Sequence, residues 1–146
     1  MKQVPVKVKK LNPNAIIPQY QTKGAAGFDF HACIDSPIVI NPGERRLIGT
    51  GLAMQIPYGY ELQVRPRSGL ALKKGISVVN SPGTIDYGYL DEIGIILINH
   101  GEDDFIVNPG DRIAQGVLKE VPQAVFEEVN EFEGYNRGGG FGSSGK

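Results

Sequence analysis

Four polar clusters hold the residue types that could do chemistry, and each sits beside Gly or Pro. The first, Ala26-Gly27-Phe28-Asp29-Phe30, places an acid between two aromatics. Taken alone, it reads as a strand-start Asp capping a turn. The second, Arg65-Pro66-Arg67-Ser68-Gly69-Leu70, puts guanidinium groups, a hydroxyl and a Gly at the start of an expected helix. Free backbone N–H groups there, with Arg67 and Ser68 as side-chain donors, suit a phosphate group. An Arg pairing with an acid of a neighbouring subunit is the alternative. The third and densest runs Asn80-Ser81-Pro82-Gly83-Thr84-Ile85-Asp86-Tyr87-Gly88-Tyr89. An extended bend of this kind exposes N–H and C=O groups that can read the polar edge of a ring. Asp86 could deprotonate a water, and Tyr89 offers a flat face for a sugar or base. A hairpin connection with a capping Asp would account for the same residues. The fourth is Gly110-Asp111-Arg112-Ile113-Ala114-Gln115. In a regular strand, Arg112 and Gln115 point to opposite faces, leaving one for structure and one for a ligand.

Other catalytic sets are missing. His31 and His100 have no metal-ligand spacing to another His or Cys, and they read as surface or satisfied core residues. Cys33 reads as a small buried hydrophobe. There is no G-x-S-x-G, P-loop or dinucleotide fingerprint. At the C-terminus, residues 134–146 read GYNRGGGFGSSGK, a flexible tail with little to pack. Its Arg and aromatic among glycines could fold over a flat, anionic ligand.

These clusters need a scaffold, and composition indicates which. The chain has 146 residues, with 20 Gly and 10 Pro, so about a fifth of it disfavours long helices. Apolar residues make up 40% and charged residues 21%, as in an ordinary globular domain. A net charge of −1 argues against nonspecific nucleic-acid binding, and one Cys excludes a disulfide scaffold. Met1–Lys10 lacks a signal-peptide core, and no apolar run approaches a membrane span. Strand-length runs are expected at Val4–Lys9, Pro37–Ile40, Arg46–Ile48, Leu52–Ile56, Tyr60–Arg65, Ile76–Val79, Ile93–Asn99, Phe105–Val107, Ile113–Lys119 and Ala124–Val129. Ile93–Asn99 has four Ile or Leu in a row and reads as buried on both faces. One short helix of one to two turns is expected from Ser68, as N-cap, to Gly75. Asn41-Pro42-Gly43-Glu44 and Asn108-Pro109-Gly110-Asp111 both specify type II turns. The whole reads as an all-β sandwich, jelly roll or small barrel.

Taken in order, AGFDF, RPRSGL, NSPGTIDYGY, GDRIAQ and RGGGFGSSG resemble the five motifs of the trimeric dUTP diphosphatases (dUTPases), and they span residue 26 to the C-terminus. The resemblance implies a β jelly roll, in barrel or sandwich form, assembled as a homotrimer with three shared active sites. It implies a cytoplasmic enzyme that hydrolyses dUTP to dUMP and pyrophosphate with Mg²⁺. Such an enzyme limits uracil incorporation into DNA and supplies dUMP for dTMP synthesis. On the matching positions, Asp86 is expected to activate water for in-line attack on the α-phosphorus. Asp29 would help hold the site through the metal's water shell, with no direct protein ligand to Mg²⁺. Arg67, Ser68, Gly69 and Gln115 would contact phosphates, and Arg112 looks structural. Asn80 and the backbone of Gly83, Thr84 and Ile85 would read uracil in a pocket too tight for thymine's methyl, with Tyr89 against the deoxyribose. Residues 1–133 would form the β domain. Residues 134–146, with Arg137, Phe141 and Gly142, would form an arm closing over a neighbour's site, Phe141 stacking on uracil.

Three departures from the family pattern stand out. Leu90-Asp91-Glu92 replaces the usual Arg-Gly and polar or acidic residue, which could alter a trimer contact or a turn needing left-handed φ at Asp91. Gly116 stands where a larger apolar residue is common and could loosen its strand. Arg137 and Phe141 are separated by three residues, one fewer than is commonest. The related dCTP deaminases share the fold but carry a catalytic Glu on the strand after the third motif, and Ile93–Asn99 has no acid. A catalytically silent regulator would not need Asp86, Asp29 and Tyr89 together. A plain structural jelly roll would leave all five motifs unexplained.

Overall fold

Apolar residues at alternate positions decide which face each strand buries. The computed structural model describes residues 1–145. Its elements run β1 (Lys7–Lys10), β2 (Phe28–His31), β3 (Ile38–Ile40), β4 (Arg45–Gly49), β5 (Leu52–Gln55), β6 (Tyr60–Arg65), α1 (Ser68–Lys74), β7 (Ile76–Val78), β8 (Gly83–Ile85), β9 (Gly94–Asn99), β10 (Phe105–Val107) and β11 (Arg112–Glu120). All described pairings are antiparallel. β2, β11, β6 and β8 form one sheet in that order, and β4, β9 and β7 form a second. Two ribbons, β1–β5 and β3–β10, complete a jelly-roll-like sandwich. No described sheet closes into a barrel. No described helix is long and apolar enough to cross a membrane.

Between the sheets lie Phe30, Ile48, Leu62, Ile95, Leu97 and Ile113, none more than 1% exposed. Each buried aliphatic contributes about 1.5–3 kcal/mol relative to exposure. Asn99 is polar and fully buried, so its amide must find partners. Its Nδ2 donates to the carbonyls of Ile40 (2.9 Å) and Asp103 (2.8 Å), and its Oδ1 accepts from Gly101 N–H. Both Pro-Gly turns form, with Gly43 and Gly110 at φ 80° and 83°. Each also has a lock that the sequence reading lacked. The acid at the fourth position turns back, so Glu44 accepts from Asn41 N–H at 3.1 Å and Asp111 from Asn108 N–H at 2.8 Å.

Four expectations about the strands and the helix need correction. β9 buries one face, Ile95, Leu97 and Asn99, while Ile96 and Ile98 on the other are only half-buried. The four-residue apolar run therefore serves two different environments. Ala124–Val129 forms no strand: strand propensity needs an edge to pair with, and this segment finds none within its own chain. Its Val125 and Phe126 are 95% exposed. The helix cap is Arg67, with extended backbone and no side-chain cap bond, and Ser68 is already helical.

The fourth correction concerns β11. A register shift between Arg112 and Ala114 inserts an extra residue, as in a β-bulge. Ile113 and Ala114 are consequently both buried. Arg112 then pairs with His31 and Gln115 with Asp29, and those partners share one face of β2. Arg112 and Gln115 therefore point the same way, not to opposite faces.

Gly116 does not loosen the strand either. A Cβ there would come 2.6–2.8 Å from the rings of Phe28 and Phe30, which pack edge-to-face at 5.4 Å. The missing side chain is what admits those rings. Gly116→Ala is expected to lower stability by about 1–3 kcal/mol through overpacking. Thermal and urea unfolding would check this, and a neutral result would remove the assigned role.

Candidate active site

The bulge gathers a cationic cluster around one acid. The Asp29 carboxylate receives Arg67 Nε at 3.1 Å and faces Arg112 Nη1 at 3.7 Å. Arg67 Nη1 also donates to the Arg112 carbonyl at 3.2 Å, so the loop after β6 is fastened to the start of β11. Gln115 Nε2 donates to the Pro66 carbonyl at 2.9 Å. Its Oε1 fills the space where a Cβ on Gly27 would come within 2.5 Å. Gly27 thus shapes the position of Gln115, a role that its sequence context, a Gly before an aromatic, does not signal. Two arginines share one carboxylate, so the cluster keeps excess positive charge for an anion. Ser68 and Gly69 are exposed beside Arg67, and a Cβ on Gly69 would meet nothing within 4 Å. Arg112, expected to be structural, both braces Arg67 and adds charge.

His31 belongs to this cluster as well. Burial pushes its imidazole below the ordinary value, Asp29 opposes this, and Arg112 and Arg67 add to it. Its Nδ1 is buried without a hydrogen-bond partner.

A second cluster lies at the other edge of the same sheet. Asn80, Gly83, Thr84, Ile85 and Tyr89 line a cleft of about 140 Å³, backed by Val64 and Ile95. Gly83 pairs with Val64, and a Cβ on it would meet Asn80 Nδ2 at 3.2 Å and Val64 Cβ at 3.3 Å. The floor is therefore backbone, with an amide beside it, which suits a flat ring with polar edges. β8 ends at buried Ile85, and Asp86 follows it, exposed, with no described hydrogen bond or ion pair at its carboxylate. Tyr89 N–H donates to the Asp86 carbonyl at 3.2 Å, closing a turn through Gly88 at φ 92°. Asp91 does not adopt positive φ. Phe141, at 50°, is the described non-Gly residue that does.

The structure does not bring all expected residues together. Asp29 and Asp86 lie three strand spacings apart across the sheet and four residues apart along it. Strand geometry makes that on the order of 20 Å. Arg137, Phe141 and Gly142 lie on an exposed segment whose described hydrogen bonds are local. Among the described residues, no three His, Cys, Asp or Glu side chains converge on a metal position.

Fold and clusters together define an all-β scaffold presenting a cationic corner and a ring-sized cleft with polar groups at its floor. The dUTPase family model matches residues 13–145. Deoxyuridine 5'-triphosphate nucleotidohydrolases from Helicobacter hepaticus and Nautilia profundicola are 58% and 57% identical, covering 99% and 97% of this chain and 91% and 99% of their own. Among solved structures, the Staphylococcus bacteriophage 80alpha dUTPase with dUPNHPP superposes with a TM-score of 0.89 at 28% identity, covering 99% of this chain and all of the other. A dUTPase from phage phi11 of S. aureus, described with a structural Mg(II) ion, gives 0.81 at 26%, covering 90% of this chain and all of that one. The chain belongs to the dUTPase family of enzymes.

Proposed function

We propose that the protein hydrolyses dUTP to dUMP and pyrophosphate. The observation that carries this reading is the cleft of Asn80, Gly83–Ile85 and Tyr89, with exposed Asp86 at its rim. Asn80 and the β8 backbone offer the donors and acceptors that uracil's edge needs, in a pocket that on this reading is too tight for a 5-methyl group. Tyr89 lies against the deoxyribose. Arg67, Ser68, Gly69 and Gln115 hold the phosphates, with Gln115 oriented by Pro66 and Gly27. Asp86 accepts a proton from the water that attacks the α-phosphorus in line. Pyrophosphate leaves, and no covalent enzyme intermediate is required.

The donor chemistry also fits Mg²⁺. This hard cation keeps most of its waters and binds through substrate phosphates, so it needs no cage of side chains. When bound, it neutralises developing phosphate charge. Asp29 is the acid of the phosphate corner and would hold the ion's water shell. In phosphoryl transfer of this kind, positioning and charge do most of the catalysis.

The separation of Asp29 from Asp86 supports sites shared between adjoining chains, which in this reading belong to a homotrimer. Carboxylates some 20 Å apart on one sheet cannot serve one α-phosphorus, whereas residues from adjoining chains can meet. Residues 134–146 form the arm, with Phe141 stacking on uracil in a neighbour's site and Arg137 and Gly142 beside the phosphates. The protein would act in the cytoplasm, keeping uracil out of DNA and supplying dUMP for dTMP synthesis.

A nucleotide panel tests the reading. Pyrophosphate release is expected from dUTP, with almost none from dTTP, dCTP or UTP, and chelation of Mg²⁺ should suppress it. Comparable turnover of UTP would overturn the sugar assignment, and inactivity on dUTP the reading as a whole.

A further inference from the structure

Glu92 has no role in the mechanism above, yet it sits where the cleft meets the scaffold. Tyr89 Oη donates to the Glu92 carbonyl at 2.6 Å. The Glu92 carboxylate turns inward and accepts from Gly51 N–H at 3.3 Å, in the link between β4 and β5. Gly49 makes room for it, since a Cβ there would come 2.5 Å from the same oxygen. The next residue, Ile93, is bound through both backbone groups. Its N–H donates to the Leu52 carbonyl at 2.8 Å. Its carbonyl accepts from Thr50 N–H at 3.2 Å and Thr50 Oγ1 at 2.7 Å. Thr50 is 1% exposed, and its hydroxyl oxygen also accepts from Leu52 N–H at 3.3 Å.

These contacts form a clasp between Gly49–Leu52 and Glu92–Ile93. Tyr89 is 43% exposed, so packing alone does not enclose its ring. Its hydroxyl is tied to residue 92, and residue 92 is held to the scaffold by this clasp and by the buried side chain of Ile93, 2% exposed.

We propose that Glu92 and Thr50 are positioning residues whose clasp fixes the Tyr89 ring and so sets the discrimination against a 2′-hydroxyl. The inference rests on the reading that Tyr89 lies against the sugar. A wall excludes one added hydroxyl only if it does not yield. An unbraced apolar wall rejects such an addition weakly, by about 10²-fold at most. Bracing the ring at its hydroxyl end removes the motion that would admit a ribose. Neither residue touches substrate; both act through Tyr89.

The test compares kcat/KM for dUTP and UTP in wild type, Glu92→Ala, Glu92→Gln and Thr50→Val, with melting temperatures for each. In Glu92→Ala the dUTP/UTP preference is expected to fall at least about tenfold. The change should enter mainly through KM, with kcat for dUTP altered less. Glu92→Gln should recover most of the preference, because its amide oxygen can still accept from Gly51 N–H. Thr50→Val should shift the ratio in the same direction as Glu92→Ala. A wild-type enzyme that discriminates, together with an unchanged ratio in Glu92→Ala, overturns the clasp even if the melting temperature drops. A wild type that treats dUTP and UTP alike overturns the functional reading, and the clasp with it.

Discussion

Asp86→Asn is expected to lower kcat for dUTP roughly 10²–10⁴-fold, the usual contribution of a positioned general base. Ile85 pairs with Leu62 and is 7% exposed, so β8 is fixed up to the residue before Asp86. The turn bond from Tyr89 N–H to the Asp86 carbonyl fixes the residues after it. Asp86 therefore projects from a rigid bend, with its carboxylate open to a water. Asn keeps the size and the acceptor oxygen but cannot take a proton at neutral pH. Nucleotide affinity should stay within a few-fold, because Asn80, Tyr89 and the phosphate corner are untouched. Isothermal titration with a non-hydrolysable dUTP analogue would read affinity, and single-turnover pyrophosphate release would read the chemical step. A near wild-type rate would show that another group activates the water.

How much of this was legible before the fold was known can be judged residue by residue. The Pro-Gly turns were, because their backbone angles are written in the residue types, as at Gly43 and Gly110. Most strands were too, since alternation at Tyr60–Arg65 and at Ile76–Val78 carries its own period. What local pattern cannot encode is register. The bulge at Ile113 turns Arg112 and Gln115 to one face, and only the pairing with Asp29 and His31 reveals it. The steric roles of Gly27 and Gly116 were hidden for a similar reason. Each is defined by a side chain, Gln115 or Phe28 and Phe30, that arrives from another strand. Ala124–Val129 had the right composition for a strand and lacked a partner edge. The polar site residues were legible as clusters, but the distance between Asp29 and Asp86 was not.

Deleting residues 134–146 is expected to reduce dUTP turnover by at least about 10²-fold while leaving the proposed trimer assembled. The deleted stretch contributes no strand and no buried side chain among its described residues. The body's last described backbone bond near this end is Val121 N–H to the Gly59 carbonyl, well before the cut. Folding of the body should not change. Val125, Phe126 and Phe132, each at least 95% exposed in the single chain, remain after the cut. Apolar residues so displayed call for cover by neighbouring copies, which is why assembly should survive. On the proposed reading, the truncation removes Arg137, Phe141 and the glycines that would let the backbone approach phosphate. A site left open to water loses both the stacking on the base and the positioning of the reacting groups, and misplacement alone can cost 10²-fold, on the order expected here. Sedimentation of the truncated protein, run beside steady-state kinetics, separates the two roles. A monomeric product would mean that the arm holds the assembly together. A trimer with full activity would mean that it is not a lid. A longer deletion, from residue 122 onward, should do what the shorter one does not and weaken the proposed trimer itself, because it also removes Val125, Phe126 and Phe132.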